Sequence, residues 1–267
     1  MNHTITPIQI RRIILEQSFR AHVGHIGSAL SIADIIAALY GNVLKISSPE
    51  DAERDRFILS KGHAALALYA ALFLKGWLPK KQLDTYCTPG SLLGVHPECM
   101  LRGIDFATGS LGQGISMATG SALAARMLGS RRRVFVVVSD GECNEGSLWE
   151  AIMFGAHQRL GNLTVIVDLN QQQALGYTRD VMNLDPLEDR LRSFGWDTIS
   201  VDGNDANKLS DCMNQLDYAG DRPHAVVAHT VFGKGVSFME NQIKWHYLPV
   251  SEEQYKLALK EIENISL

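Results

Sequence analysis

Apolar residues fall into short continuous runs that alternate with longer segments in which they recur at helical spacing. The runs predict strands at 57–59, 134–138, 163–168, 196–201 and 224–229. Strands that are apolar on both faces and alternate with helices are typical of a parallel sheet covered by helices on both sides. The pattern therefore predicts an α/β fold, a doubly wound and mainly parallel sheet flanked by helices.

Helical spacing of the apolar residues predicts helices at 8–19, 31–44, 63–74, 111–128, 145–159 and from Asp205 onward. In the second helix, Ser31 is placed to cap the N-terminus and Asp34 occupies the third helical position. The Gly-, Pro-, Thr- and Ser-rich segment 84–110 predicts ordered irregular loops, which often carry function. Since neither a repeat nor a linker interrupts the pattern, we expect one domain over residues 1–267.

Composition narrows the class of protein. The chain has 267 residues, 46% of them hydrophobic, which is enough for one large α/β core. Its formal net charge is −4 and its charges are mixed, so no basic stripe suggests a nucleic acid or an anionic membrane as partner. The four cysteines form no C-x-x-C pair, the N-terminus has no signal-peptide pattern, and no apolar run could span a bilayer. We therefore expect a soluble, cytoplasmic protein.

Polar residues follow two neighbouring predicted strands at the points where those strands end. Asp140 and Gly141 follow the run 134–138, and Asn170 follows the run 163–168. Ligands bind at the carboxyl ends of such strands, and a glycine lets the backbone approach a phosphate closely. Carboxylate, amide and phosphate oxygens together suit Mg²⁺. A capped helix and an ordinary turn would explain an isolated Asp-Gly, but the pair within one βαβ unit favours a diphosphate–Mg²⁺ site.

The spacing of Asp140-Gly141 and Asn170 matches the thiamine diphosphate motif, and other segments extend this likeness. The chain resembles the N-terminal, diphosphate-binding half of transketolase, especially its separately encoded N-terminal subunit, over nearly its whole length. The segments that carry the resemblance are Gly24–Gly27, Asp55–His63, Gly94–Glu98, Thr108–Gly114 and Gly235–Asn241. It implies a thiamine diphosphate-binding fold and transfer of a two-carbon ketol unit from a ketose, expected to be a phosphate, to an aldose.

The resemblance also implies ligands for both cofactors. For Mg²⁺ these are the side chains of Asp140 and Asn170 and the main-chain carbonyl of Gln172. For thiamine diphosphate they are His63, Gly109, Leu111, Gly141, Asn170 and His246.

Four histidines, His25, His63, His96 and His246, are implied to line the channel over the reactive carbon of the cofactor. A single histidine in a loop usually does no more than form a hydrogen bond. Together, imidazoles can bind sugar hydroxyls and move protons while the C–C bond of the ketose breaks. Glu145 joins this catalytic set by resemblance, through contact with a partner, and it also suits the first turn of a helix.

Three positions depart from the family pattern. Ser139 replaces the first glycine of Gly-Asp-Gly, Ala174 stands where isoleucine is frequent, and Tyr247 follows Trp245-His246 where glycine is common. Cofactor binding is still expected, but these changes leave the ketose and the aldose open.

The resemblance implies only half of an active site. In transketolases the activating glutamate and the sugar-phosphate arginines lie on a pyrimidine-binding domain, which would follow Leu267. We therefore expect the partner to be a C-terminal subunit, with two copies of each chain in a heterotetramer.

Two alternatives remain. The chain could belong to a ketoacid dehydrogenase or a deoxyxylulose-phosphate synthase, which share the Asp-Gly…Asn motif, or it could be a non-catalytic scaffold subunit. The histidines and the segment Lys244–His246 favour transketolase, and the intact Asp140 and Asn170 argue against a scaffold.

Overall fold

A five-stranded parallel sheet, in the order β1-β2-β3-β7-β6, organises the chain. The computed structural model describes residues 5–264; residues 1–4, where a signal peptide would begin, and 265–267 lie outside the described residues. The strands are β1 (Arg56–Leu59), β2 (Val134–Ser139), β3 (Leu163–Leu169), β6 (Asp197–Asp202) and β7 (His224–His229), with a separate antiparallel pair, β4 (Gln172–Gln173) and β5 (Gly176–Tyr177). All five predicted strands form, which confirms the α/β fold class.

Helices cover both faces of the sheet. They are α1 (Pro7–Ala21), α2 (Ile26–Ser31), α3 (Ala33–Ala38), α4 (Ala65–Leu74), α5 (Lys80–Leu83), α6 (Gly114–Met127), α7 (Gly146–His157), α8 (Thr178–Met182), α9 (Leu187–Ser193), α10 (Ala206–Asn214) and α11 (Glu252–Asn264). Short 3-10 turns at Gly62–Ala64, Gly141–Asn144 and Ile243–His246 lie next to the strand ends or the site described below. Within residues 5–264, no helix is long and apolar enough to cross a membrane.

Alternate side chains of the strands enter two separate hydrophobic clusters. Along β2, Phe135 and Val137 pack on one face of the sheet with α1, α3 and α4. Val134, Val136 and Val138 pack on the other face with α6 and α7. Successive side chains of a strand point to opposite faces, so a strand that is apolar throughout must be covered on both sides. This arrangement explains why the central strands read as continuous apolar runs.

The predicted helix 31–44 is wrong in its start. Ser31 ends α2, and Ile32 joins α2 to α3, which continues into a π-helical turn at Leu39–Val43. The Ser31 hydroxyl does not cap a helix; it donates a hydrogen bond to Asp168 Oδ1 at 2.7 Å. The local sequence favours a helix cap at Ser31, but the buried Asp168 carboxylate of β3 needs a hydrogen-bond donor. The long-range bond to Asp168 therefore decides how the Ser31 hydroxyl is used.

Candidate active site

The carboxyl ends of the central strands open into a cavity of about 390 Å³. Ten of the eleven residues expected at the site line it: His25, His63, His96, Gly109, Leu111, Gly141, Glu145, Asn170, Gln172 and His246. The exception is Asp140, which is buried beside the cavity and faces a smaller pocket on its other side. Residues from distant parts of the chain thus meet at the edge where parallel α/β sheets bind ligands.

Three of the histidines form a nearly equilateral triangle. The ring centroids of His25 and His63 are 5.6 Å apart, those of His25 and His246 are 5.3 Å apart, and those of His63 and His246 are 5.4 Å apart. The backbone amide of His25, a residue in the left-handed region at φ 61°, donates to the carbonyl of His246 at 3.1 Å. This bond fixes two corners of the triangle to each other.

The imidazoles of the triangle are held in the neutral form. Burial, with a smaller contribution from His96, lowers the pKa of His25. Burial and the nearby Lys61 ammonium bring the pKa of His63 well below its usual value. For His246, burial and then His25 lower the pKa to about 4. Neutral imidazoles can accept a proton or a hydrogen bond at one nitrogen and donate at the other.

Two ring nitrogens of the triangle are available for a ligand. Nδ1 of His25 and Nδ1 of His246 are buried and have no hydrogen-bond partner within residues 5–264. Unpaired buried polar atoms are costly, and they commonly mark a place where a ligand or water binds. Their position in the cavity wall points to a polar ligand.

Glycines allow close approach along the opposite wall. A Cβ atom on Gly109 would lie 3.2 Å from Cγ of His96, so the loop and this histidine pack tightly. A Cβ on Gly141 would lie 2.8 Å from Cβ of Gln173. Side chains at these two positions would displace the wall or fill the space, and the glycines keep the cavity narrow but open.

Asp140 organises the loop that follows β3. Its Oδ1 accepts from the backbone amide of Gly141 at 2.8 Å, and its Oδ2 accepts from the backbone amide of Gln171 at 2.6 Å. Asn170 Oδ1 in turn accepts from the amide of Gln172 at 2.9 Å. Burial, followed by the nearby Asp168 carboxylate, raises the pKa of Asp140 to about 7. A cation beside it would favour the charged carboxylate.

Within residues 5–264, no group of three or more His, Cys, Asp or Glu side chains could hold a metal ion by itself. The expected donors, Asp140, Asn170 and the Gln172 carbonyl, include a single carboxylate. Such a set suits a cation that takes the rest of its ligands from phosphate oxygens and water, as Mg²⁺ does. The donor chemistry therefore fits magnesium bound together with a diphosphate.

A buried ion pair that sequence reasoning missed lies at the base of the cavity. The Lys61 ammonium donates to Asp168 Oδ2 at 2.5 Å, and their side chains are 1% and 0% exposed. Asp168 Oδ1 accepts from the hydroxyls of Ser31 and Thr230, and Oδ2 also accepts from the Asn170 side-chain amide at 2.9 Å. The pair joins the ends of β1, β3 and β7 to α2. Lys61 also lines the cavity, where a nearby positive charge favours a bound anion.

One signal could have found this pair. Asp168 interrupts the apolar run of β3, and a charged residue in a buried strand requires a partner. The identity of that partner could not be read from the sequence, since Lys61 lies 107 residues away.

Two glutamates differ in their roles. Glu142, also missed, is fully buried and accepts from the Ser60 hydroxyl and from the backbone amides of Gly112 and Ser139. It fastens the loop before α6 to the end of β2. Glu145 is exposed at the N-cap position of α7, makes no side-chain capping bond, and lies at the rim of the cavity. That position is compatible with contact to another protein chain.

Phe232 is a further wall residue that sequence reasoning did not identify. Its ring stacks on His246 with an interplanar angle of 5°. A Cβ on Gly27 would lie 2.2 Å from Phe232 Cε1, which explains the glycine in the segment Gly24–Gly27. The aromatic ring shields His246 from water, and this desolvation favours the neutral imidazole.

Comparison with known families and proteins agrees with this geometry. Residues 4–262 match the family described as transketolase, thiamine diphosphate binding domain. The chain is 43% identical over 259 residues to a 6-deoxy-6-sulfo-D-fructose transketolase subunit of Clostridium sp. strain MSTE9, covering 95% of this chain and 94% of that protein. It is 39% identical over 254 residues to an apulose-4-phosphate transketolase subunit of Phocaeicola vulgatus, covering 94% and 90%.

A solved transketolase has the same fold. The transketolase of Campylobacter jejuni superposes with a TM-score of 0.89 and 29% identity, over 98% of this chain and 43% of that one. The chain thus spans less than half of that longer transketolase.

Proposed function

The chain belongs to the transketolase family, and on that basis we propose that it is the N-terminal, diphosphate-binding subunit of a heteromeric transketolase. It transfers a two-carbon ketol unit from a ketose to an aldose. The observation that carries this proposal is the triangle of neutral histidines above the strand ends that bear Asp140, Gly141 and Asn170. A non-catalytic scaffold would have no need of three half-buried, uncharged imidazoles facing one cavity.

Thiamine diphosphate and Mg²⁺ are the proposed cofactors. Gly141, Asn170, His63 and His246 hold the diphosphate, and Lys61 supplies a positive charge at the same wall. Asp140, Asn170 and the Gln172 carbonyl hold the metal. Gly109 and Leu111, which line the same cavity, contact the ring portion of the cofactor. When bound, thiamine diphosphate supplies the electron sink for breaking the C–C bond.

The histidines orient the sugar and carry protons. Because His25 and His246 are neutral and each has a ring nitrogen with no hydrogen-bond partner among the described residues, they can accept a hydroxyl proton of the ketose and return it. His63 packs against both and keeps their rings in place, and His96 extends the wall toward Gly109. Glu145, at the rim, contacts the partner subunit.

A C-terminal subunit with the pyrimidine-binding domain is the proposed partner. The two relatives described above are themselves named as subunits, which supports a divided enzyme. Helices α6 and α7 pack together, and Met127, Met153 and Leu128, which directly follows α6, are exposed large apolar side chains that a partner would cover. Two copies of each chain would give a closed heterotetramer. The single-domain organisation over 1–267 and the cytoplasmic location stay predictions.

The proposed donor is a ketose that carries an anionic group. One relative is named for 6-deoxy-6-sulfo-D-fructose and the other for apulose-4-phosphate, so both names give a sugar with an anionic group, while the sugar and the anion differ. A ketoacid dehydrogenase or deoxyxylulose-phosphate synthase reaction would instead begin with loss of CO₂ from a ketoacid. The family match favours ketol transfer over that alternative.

Product analysis tests this function. The chain is assembled with a C-terminal transketolase subunit, and the assembly is incubated with a ketose phosphate or ketose sulfonate and an aldose phosphate. We expect an aldose two carbons shorter than the donor and a ketose two carbons longer than the acceptor, with both products dependent on thiamine diphosphate and Mg²⁺. Release of CO₂ from pyruvate without ketol transfer would assign the chain to the alternative class.

A further inference from the structure

Tyr247 lies where three segments of the cavity wall meet. Its hydroxyl donates to the carbonyl of Ala174 at 2.6 Å, and its ring lies against His246 at a centroid distance of 5.2 Å. A Cβ on Gly24 would lie 2.3 Å from the carbonyl oxygen of Tyr247, so the backbone before His25 also packs against this residue. Tyr247 therefore connects the β4–β5 hairpin to His246 through its side chain, and its backbone packs against the residue before His25.

The hairpin needs such a connection at its tip. Its base is anchored, because the amide of Gln171 donates to Asp140 and the amide of Thr178 donates to the carbonyl of Gln171. Its tip, Ala174–Leu175, is exposed, and the Leu175 side chain is 80% accessible. The Gln173 side chain, just before the tip, donates to Asn144 Oδ1 at 3.1 Å; within residues 5–264, the bond from Tyr247 is the only hydrogen bond that reaches Ala174–Leu175 itself from outside the hairpin.

The hairpin matters because it carries one of the proposed cofactor-binding groups. Gln172, whose carbonyl is a proposed metal ligand, lies in β4, and Ala174 lines the same cavity. A two-stranded ribbon of this length is only marginally stable without outside support. The Gln172 amide is held by Asn170, and movement of the tip would disturb the pairing of β4 with β5 that supports Gln172 from the other side.

We propose that Tyr247 is a positioning residue, whose hydroxyl holds the β4–β5 hairpin against the histidine wall and so preforms the metal–diphosphate site. The proposal rests on the function proposed above. It also gives a role to Ala174 and Tyr247, two of the positions that depart from the family pattern. The small side chain of Ala174 leaves space over the cavity, and the large ring of Tyr247 crosses that space. Tyr247 touches neither substrate nor cofactor in this role.

The test compares Tyr247→Phe with Tyr177→Phe. Each substitution removes one phenolic hydroxyl and keeps the ring, and Tyr177, on the same hairpin, makes no side-chain hydrogen bond within the described residues. Hydrogen–deuterium exchange of the full, cofactor-free chain measures directly how fast the backbone amides of residues 171–177 exchange. We expect exchange there to be about two- to tenfold faster in Tyr247→Phe, the range for loss of one ordinary hydrogen bond. Tyr177→Phe should match the wild type.

Cofactor titration of the assembled enzyme gives the second readout. Tyr247→Phe should weaken the apparent affinity for thiamine diphosphate with Mg²⁺ by a similar factor, and kcat at saturating cofactor should stay at the wild-type value. Unchanged exchange, or faster exchange with unchanged cofactor affinity, would overturn the positioning role. If even the wild-type assembly binds no cofactor, the proposed function fails, while the exchange comparison still decides whether Tyr247 holds the hairpin.

Discussion

Replacing Asp168 by asparagine should destabilise the protein more than any other change at the base of the cavity. The Lys61 ammonium is 1% exposed, and among the described residues its only side-chain partner is the Asp168 carboxylate. In Asp168→Asn this charge would stay buried and face a neutral amide. Breaking a buried pair by removing one partner costs about 3–5 kcal/mol. We therefore expect a loss of that size in the free energy of unfolding.

The reverse substitution should cost less. In Lys61→Met the Asp168 carboxylate keeps three donors, the hydroxyls of Ser31 and Thr230 and the amide of Asn170. Hydrogen bonds to the charged form stabilise a buried carboxylate, so we expect a loss of about 1–3 kcal/mol, in the range for hydrogen bonds to charged groups. The double variant Lys61→Met/Asp168→Asn buries no charge, and it should be more stable than Asp168→Asn alone.

Urea unfolding of the four proteins, followed by circular dichroism and tryptophan fluorescence, measures these differences. Glu252→Gln serves as a control, because it removes an exposed pair with Lys256 that should contribute little. The reasoning is refuted if Asp168→Asn costs less than about 1 kcal/mol, or if the two single losses simply add in the double variant.

Three further predictions concern the cavity. Asp140→Ala should abolish Mg²⁺-dependent retention of thiamine diphosphate in calorimetric titration, because it removes the proposed metal-bound carboxylate; unchanged affinity would disprove that assignment. Alanine at His25 or His96 should leave cofactor affinity nearly intact and lower ketol transfer by about ten- to ten-thousand-fold, whereas alanine at His246 should lower both, because His246 also holds the diphosphate; wild-type turnover in all three would make these histidines structural. Because the folded pKa of His246 is depressed to about 4, its contribution to stability is present above pH 6.5 and is lost as the pH falls toward 4. Urea unfolding at several pH values should therefore show the wild type losing stability relative to His246→Gln across that window, and parallel curves would contradict the depressed pKa.

The strands and the placement of the site could be predicted because their signals are local. β2 is an apolar run that ends at Ser139, and β7 has an apolar centre, 225–228, between two histidines; both strands lie within one residue of the predicted ends. Asp140 and Asn170 directly follow such runs, and parallel topology then brings them to one edge. The shared cavity of the histidines was expected from the family resemblance, since spacing along the chain does not show that segments so far apart would meet.

The remaining features depend on contacts that no local pattern encodes. Ser31 has the sequence context of a helix cap, yet its hydroxyl is used by Asp168, 137 residues away. The pairing of Lys61 with Asp168 and the bond from Tyr247 to Ala174 likewise join distant segments. For the buried Asp168 the requirement for a partner could be anticipated, but the partner itself was fixed only by the fold.

The most direct test of the central claim is ketol transfer measured with this chain alone and then across a titration with its C-terminal transketolase partner, at saturating thiamine diphosphate and Mg²⁺. If the chain provides the diphosphate-binding half of a divided enzyme, activity should be absent without the partner. It should then rise linearly and reach a plateau near one partner per chain. Full activity of the isolated chain would contradict the account, and so would a partner that binds at this ratio without producing any ketol transfer.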